Sequence, residues 1–162
     1  MKNQLAKVVD KLEKKPAWLR YRLLSYVLGA TVKFVGTADV RCKHLSAEKA
    51  VFRLANRKKV RNHIGTIHAA ASALVAETAT GMALGMHIPD DKIPLLKTMH
   101  VDYLKRSTGA LIAEASLTKD QIESLHRDEK GSILIACSVT DDAGIEPVSC
   151  QMEWAWIPKR RQ

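Results

Sequence analysis

The sequence has three cysteines, Cys42, Cys137 and Cys150, and no CxxC pair among its 162 residues. An odd, widely spaced set builds neither a disulfide framework nor a zinc site. It suits a reducing compartment, so the expectation is a cytoplasmic protein without metal. Long hydrophobic runs are missing too. The longest apolar stretch, Leu23 to Ala30, falls well short of the roughly 20 residues that cross a bilayer. Asp10 and Glu13 before it make a poor signal-peptide start, so neither export nor a transmembrane segment is expected. The sequence also has no GxSxG elbow and no HExxH motif. Ser46-Ala47-Glu48-Lys49 spells SxxK, but without the companion motifs of the serine β-lactamases.

Acidic residues are few against basic ones, 17 to 26, for a net charge of +9. The excess gathers at Arg57-Lys58-Lys59-Val60-Arg61, Lys105-Arg106 and Lys159-Arg160-Arg161. Such clusters attract phosphates on nucleic acid, on a membrane surface or on a small cofactor. No helix-turn-helix, zinc-finger or aromatic-rich RNA-binding pattern is present, and nucleic acid is not expected as a partner.

The most informative stretch runs from Asn62 to Gly85. It opens as a polar, Gly-containing loop and becomes a run of small, helix-compatible residues with one carboxylate, Glu77, in its middle. Apolar side chains at Ile67, Ala71, Leu74, Val75, Met82 and Met86, with Thr78, follow the spacing of a buried helix face. The spacing predicts a helix from about Thr66 to Gly85, roughly 30 Å long. Ala70, Ala73, Thr80, Gly81 and Leu84 are read as an opposite side open to a second backbone or a ligand around Glu77. A carboxylate there is costly to bury unless paired, hydrated or functional, which makes Glu77 the first candidate for chemistry.

Two amphipathic helices precede this stretch, one around Leu5, Val8, Val9 and Leu12 and one after Pro16. A packing role for them is favoured over contact with a membrane. Residues 1–30 are read as a helical extension, 31–158 as the main domain and 159–162 as a basic tail. From Thr31 onward the pattern reads as β: a hairpin at 39–45 and 49–54, and after the long helix four strands, 95–104, 110–117, 132–140 and 148–157. A turn of helix is expected at 121–125. Trp154 and Trp156 share a face of the last strand and read as core or interface. This order implies an α+β fold, an antiparallel sheet with one helix on its face. The helix's remaining face calls for a partner, and a homodimer or dimer of dimers supplies one.

These residues resemble the hotdog-fold acyl-CoA thioesterases, in particular the group containing phenylacetate-pathway and 4-hydroxybenzoyl-CoA thioesterases. Asn62, His68 and Glu77 fall where that group has Asn or Gln, then His-Gly-Gly opening the helix, then Asp or Glu within it. Leu96 to Arg106, followed by Gly109, resembles the family's third strand and basic turn. The resemblance implies hydrolysis of an acyl-CoA or acyl-ACP thioester, with coenzyme A present only as part of the substrate and no other cofactor. It implies Glu77 as base or nucleophile, Asn62 holding water or substrate, and His68 starting the helix with the Ala69 N–H as oxyanion donor. Gly65, Thr66, Thr80 and Gly81 would line the substrate site, and Arg61, Lys105 and Arg106 would meet phosphates. His-Gly-Gly is His68-Ala69-Ala70 here, which keeps the N–H groups but narrows the approach to them.

Two other readings stand beside this one. Hotdog β-hydroxyacyl dehydratases pair a His and a Glu fourteen positions apart, the separation of His63 and Glu77, although the residues around His63 differ. A non-catalytic acyl-thioester-binding module would use the same surface. His63 and His68 lack further ligands for a metal.

Overall fold

Both N-terminal helices form, α1 as Gln4–Glu13 and α2 as Ala17–Thr31, but α2 is not amphipathic as expected: Trp18 and Val27, which share one side by spacing, are exposed, and Leu24 and Ser25 are its buried residues. The computed structural model describes residues 2–159, so apart from Lys159 the basic tail lies outside the described residues. Asn3 anchors α1 in two ways. Its side-chain oxygen caps the helix by accepting from the Ala6 N–H at 2.8 Å. Its amide donates to the carbonyls of Gly85 and Ile88, at 2.8 and 2.6 Å. Ala6, Val9 and Leu24 are buried in the same hydrophobic core as the sheet, which makes these helices part of one packed unit.

The stretch after Thr31 differs from the β reading. Lys33–Ala38 is a short helix, α3. The chain turns back where the backbones of Gly29 and Gly36 meet, and α3 then buries Val35 and Ala38, three residues apart. The β-branched residues there suggested a strand, and tertiary packing overrode that preference. Asp39 stops the helix in the left-handed conformation (φ 60°), which a short polar side chain tolerates. Its carboxylate pairs with both Arg41 and Arg57.

Strands β1 (Arg41–Leu45) and β2 (Ala50–Leu54) form the expected hairpin. Helix α4, Ala69–Gly85, starts three residues later than its pattern suggested. Thr66 to His68 are held outside it: Ile67 bridges Arg61, and the His68 N–H donates to Val60 O at 2.8 Å. Then come β3 (Lys92–Tyr103), β4 (Leu111–Ala115), a full helix α5 (Lys119–Arg127), β5 (Gly131–Asp141) and β6 (Val148–Pro158). Thr118 and Gln121 close a reciprocal capping box on α5, so the polar connection carries nine helical residues rather than a turn.

All six strands are antiparallel in the order β1-β2-β4-β5-β6-β3. Of the four later strands, β4, β5 and β6 are neighbours in chain order, but β3 is not: β4 lies beside β2, and β3 lies at the far edge beside β6. The sheet wraps α4, which is buried almost all round. Val75, Ala76, Ala79, Thr80 and Leu84 have no exposed surface. Trp154 and Trp156 are core residues, and the Trp154 indole N–H donates to Thr80 Oγ1 at 3.0 Å.

Asn3 provides a test of how firmly α1 belongs to this core. Asn3→Ala removes a cap and leaves two inward-facing carbonyls unpaired, a loss of about 2 kcal/mol. Thermal melting should show a fall of roughly 4–8 °C for a chain of this size. An unchanged melting temperature would show that the Asn3 bonds do not contribute to holding α1 on the core.

Candidate functional site

The site is built from a loop that holds itself rigid. Asn62 accepts at its side-chain oxygen from the N–H groups of Ile64 and Thr66, both at 3.1 Å, and its amide donates to Thr66 Oγ1 at 2.8 Å. Gly65 sits at φ +82°, a conformation that costs glycine little and other residues more. The Arg61 guanidinium bonds Asn56, donating from Nε and one Nη to its side-chain and backbone oxygens at 3.0 Å each. Arg106 donates to Ile64 O at 3.0 Å and ties the loop to the turn after β3. Asn62, Arg61 and Arg106, read from sequence as substrate contacts, thus also organise the loop that leads into α4.

His68 is the N-cap of α4. Its Nδ1 accepts from the Ala70 N–H at 3.1 Å, so in the neutral ring the proton resides on Nε2. The N–H of Ala69, the first residue of the helix, has no acceptor among the described residues. It is exposed and carries the partial positive charge of a helix start. On its other side, the Ala69 carbonyl accepts from the Tyr103 hydroxyl at 2.8 Å, fastening the end of β3 to the start of α4. The sequence puts Tyr103 within the expected strand 95–104 and gives no sign of this tie, because the partners lie 34 residues apart and share no local pattern.

Glu77 lies two turns further along α4 and is half-buried. Burial raises its pKa above the ordinary value of 4.5, with no neighbouring charge or hydrogen bond contributing. A carboxylate in that condition is a stronger base than one in water.

Two residues expected at the site are committed elsewhere. Thr80 is fully buried, and its hydroxyl receives the Trp154 indole N–H. The Trp154 ring occupies the space beside Gly81, within 2.8 Å of where a Cβ would stand. Both therefore serve helix–sheet packing. A small residue on a helix signals a close approach but does not say of what.

Beside the start of α4 lies a cavity of about 200 Å³. Its walls include Phe34, Val60, Ala70 and Ala71, and Lys59 and Arg61 add positive charge. Phe34 was missed by sequence reasoning because α3 was. Lys105 lies in the exposed turn after β3. The three cysteines are unpaired. No group of His, Cys, Asp and Glu among the described residues could hold a metal ion, and no helix there is long and apolar enough to cross a membrane.

The family model described as "Domain of unknown function (DUF4442)" matches residues 20–157. The chain belongs to the DUF4442 family. Its solved structural relatives share the hotdog fold. One is a Pseudomonas aeruginosa protein of unknown function, described as a "probable thioesterase", with a TM-score of 0.76 at 19% identity over 85% of this chain and 95% of that one. A thioesterase from Haemophilus influenzae gives 0.71 at 11% identity, over 88% and 93% of the two chains. A variant thioesterase from Staphylococcus aureus gives 0.65 at 19% identity, over 78% and 99%. At these identities the likeness concerns the fold of this DUF4442 protein. No curated protein matches the sequence.

The raised pKa of Glu77 has a measurable sign. Below the unfolded-state pKa the group is protonated in both states and costs nothing. As pH rises through the higher folded value, the folded chain has to hold a poorly solvated carboxylate and loses stability. Glu77→Gln should therefore be more stable than wild type at pH 7, with the difference vanishing below about pH 4. Chemical denaturation at both pH values measures it, and a variant less stable at pH 7 would show that Glu77 has a partner.

Proposed function

We propose that this DUF4442 protein hydrolyses an acyl thioester. The observation that carries the reading is the pairing, on one helix, of an unpartnered N–H at Ala69 with a desolvated carboxylate at Glu77. Glu77 takes a proton from water as the water oxygen attacks the thioester carbonyl. The oxyanion forms against the Ala69 N–H, where a helix start favours negative charge. Collapse of the intermediate breaks the C–S bond, and the proton on Glu77 passes to the departing thiolate. Water therefore supplies the carboxylate's new oxygen and the thiol's hydrogen.

Eight residues separate the two groups, about 12 Å along a helix axis, which is too far for one chain to bring both to one carbonyl. The reading therefore requires a second copy, with α4 of one chain running against α4 of the other so that Glu77 faces the partner's oxyanion site. The free edge of β3 supports this arrangement. It is a 12-residue strand paired on one side only, with Leu95, Met99 and Tyr103 exposed, and a long, uncovered apolar edge invites strand pairing. Asn62 then acts mainly by holding the loop. Lys59 and Arg61 beside the cavity, with Lys105 and Arg106 after β3, suit the phosphates of coenzyme A or an acidic carrier protein.

Thiol release from short, medium, long and aromatic acyl-CoAs tests the proposal. Glu77→Gln should lose roughly a hundred- to ten-thousandfold in rate, as expected for a general base. Wild-type activity should fall as acid protonates Glu77, along a limb centred above pH 4.5. Binding of every thioester without turnover would favour the binding-module reading instead.

Ala69→Pro isolates the oxyanion donor. Proline is well tolerated at the first position of a helix and has no N–H, and His68 already has the extended backbone (φ −62°, ψ 143°) that a residue before proline adopts. The variant should fold normally and lose about a hundred- to thousandfold in kcat. Mixing it with Glu77→Gln under conditions that exchange subunits should restore activity, since a mixed dimer has one site with both groups intact. Two inactive parents that give only inactive mixtures would rule out the shared site.

A further inference from the structure

The exposed face of α2 has no role in the site described above, and its chemistry is distinctive. Between Lys14 and Ala38 there is no Asp or Glu, while Lys14, Lys15, Arg20, Arg22 and Lys33 are all basic. Trp18, Arg22 and Tyr26, spaced four apart, form one stripe on the helix. Trp18 is 68% exposed and Tyr26 74%. Val27 beside them, and Val32 just beyond the helix end, are exposed as well. Large aromatic side chains are costly to leave in water, and a contiguous exposed apolar patch generally marks a contact surface.

The stripe borders a groove between α2 and β1. Trp18, Arg22, Arg41 and Lys43 line it, together with Tyr21 and Ser25, and no acidic residue does. Aromatic rings that are apolar at one end and polar at the other, set among cations beside a basic groove, match the boundary of an anionic bilayer. Rings enter the headgroup level and cations meet the phosphates. The same face is poorly matched to an acidic protein helix, because its aromatic groups protrude rather than form a groove of their own.

We propose that α2 docks this DUF4442 protein on anionic phospholipid surfaces, with Trp18 and Tyr26 at the headgroup level and Arg22, Lys15 and Lys33 on the lipid phosphates. The contact is peripheral and reversible. It does not depend on the thioesterase reading, since it uses no residue of the Glu77 site.

Intrinsic fluorescence tests this directly, because Trp154 and Trp156 are buried and Trp18 alone of the three tryptophans is exposed. Phosphatidylcholine vesicles containing phosphatidylglycerol should shift the emission to the blue and carry the protein down on sedimentation. Vesicles of phosphatidylcholine alone should do so far less, and raised salt should reverse the effect. Arg22→Gln and Lys33→Gln, both at exposed positions, should each weaken binding about fivefold. Trp18→Ser should abolish the shift while leaving the melting temperature unchanged. Three results would overturn the proposal: no binding to anionic vesicles, equal binding to neutral and anionic ones, or a Trp18→Ser variant that binds normally. Self-association without vesicles that rises with protein concentration, shields Trp18, and is weakened by Trp18→Ser in sedimentation would overturn it too, by assigning the face to a second copy of this chain.

Discussion

The structure depends on burying one helix almost completely. A sheet can wrap α4 closely only if the helix is thin, and Ala71, Ala76, Ala79 and Ala83 make it so. Large apolar side chains from the strands, Phe52, Ile135, Met152 and Trp156 among them, fill the space around it. Thr80 shows how strict this environment is. Its hydroxyl has no water to bond, and it accepts from the Trp154 indole while donating to the carbonyls of the preceding turn. A polar group buried there without such partners would be strongly destabilising.

The same burial gives Glu77 its chemistry. Burial strips the carboxylate of solvation, and no neighbouring charge or hydrogen bond compensates. Folding stability at neutral pH is thereby diminished, because the folded chain holds a poorly solvated carboxylate. The opposite principle governs the start of α4. There the Asn62 turn, the Arg61–Asn56 and Arg106–Ile64 bonds and the Tyr103–Ala69 bond fix the loop from several sides. An oxyanion donor works best when already oriented, because nothing has to reorganise as charge develops.

Two groups of basic residues meet different neighbours. Residues of the loop before α4 and of the turn after β3 lie around the helix start, whereas those of α2 and β1 flank exposed aromatic groups. A net charge of +9 is one number in the sequence, but folding sorts it into regions with different neighbours. Only the neighbours say what each region attracts.

The sequence by itself determined the elements whose signals are local. The periodicity of α1, the helix-compatible runs of α2 and α4, the alternation of the strands and the turn residues between them were sufficient for an antiparallel sheet on one long helix. Glu77 stood out because a lone carboxylate amid small apolar residues is conspicuous in any fold. Tertiary structure alone decided the rest. The β-branched residues at 31–38 became helical because Gly29 and Gly36 let two helices touch. Strand order departed from chain order because hydrogen bonding across a sheet is not encoded within any one strand. Thr80 and Gly81 turned toward Trp154 rather than a ligand, and Tyr103 reached Ala69, because both contacts join residues far apart in sequence. Local pattern specifies what a segment can become, and packing decides which neighbour each side chain meets.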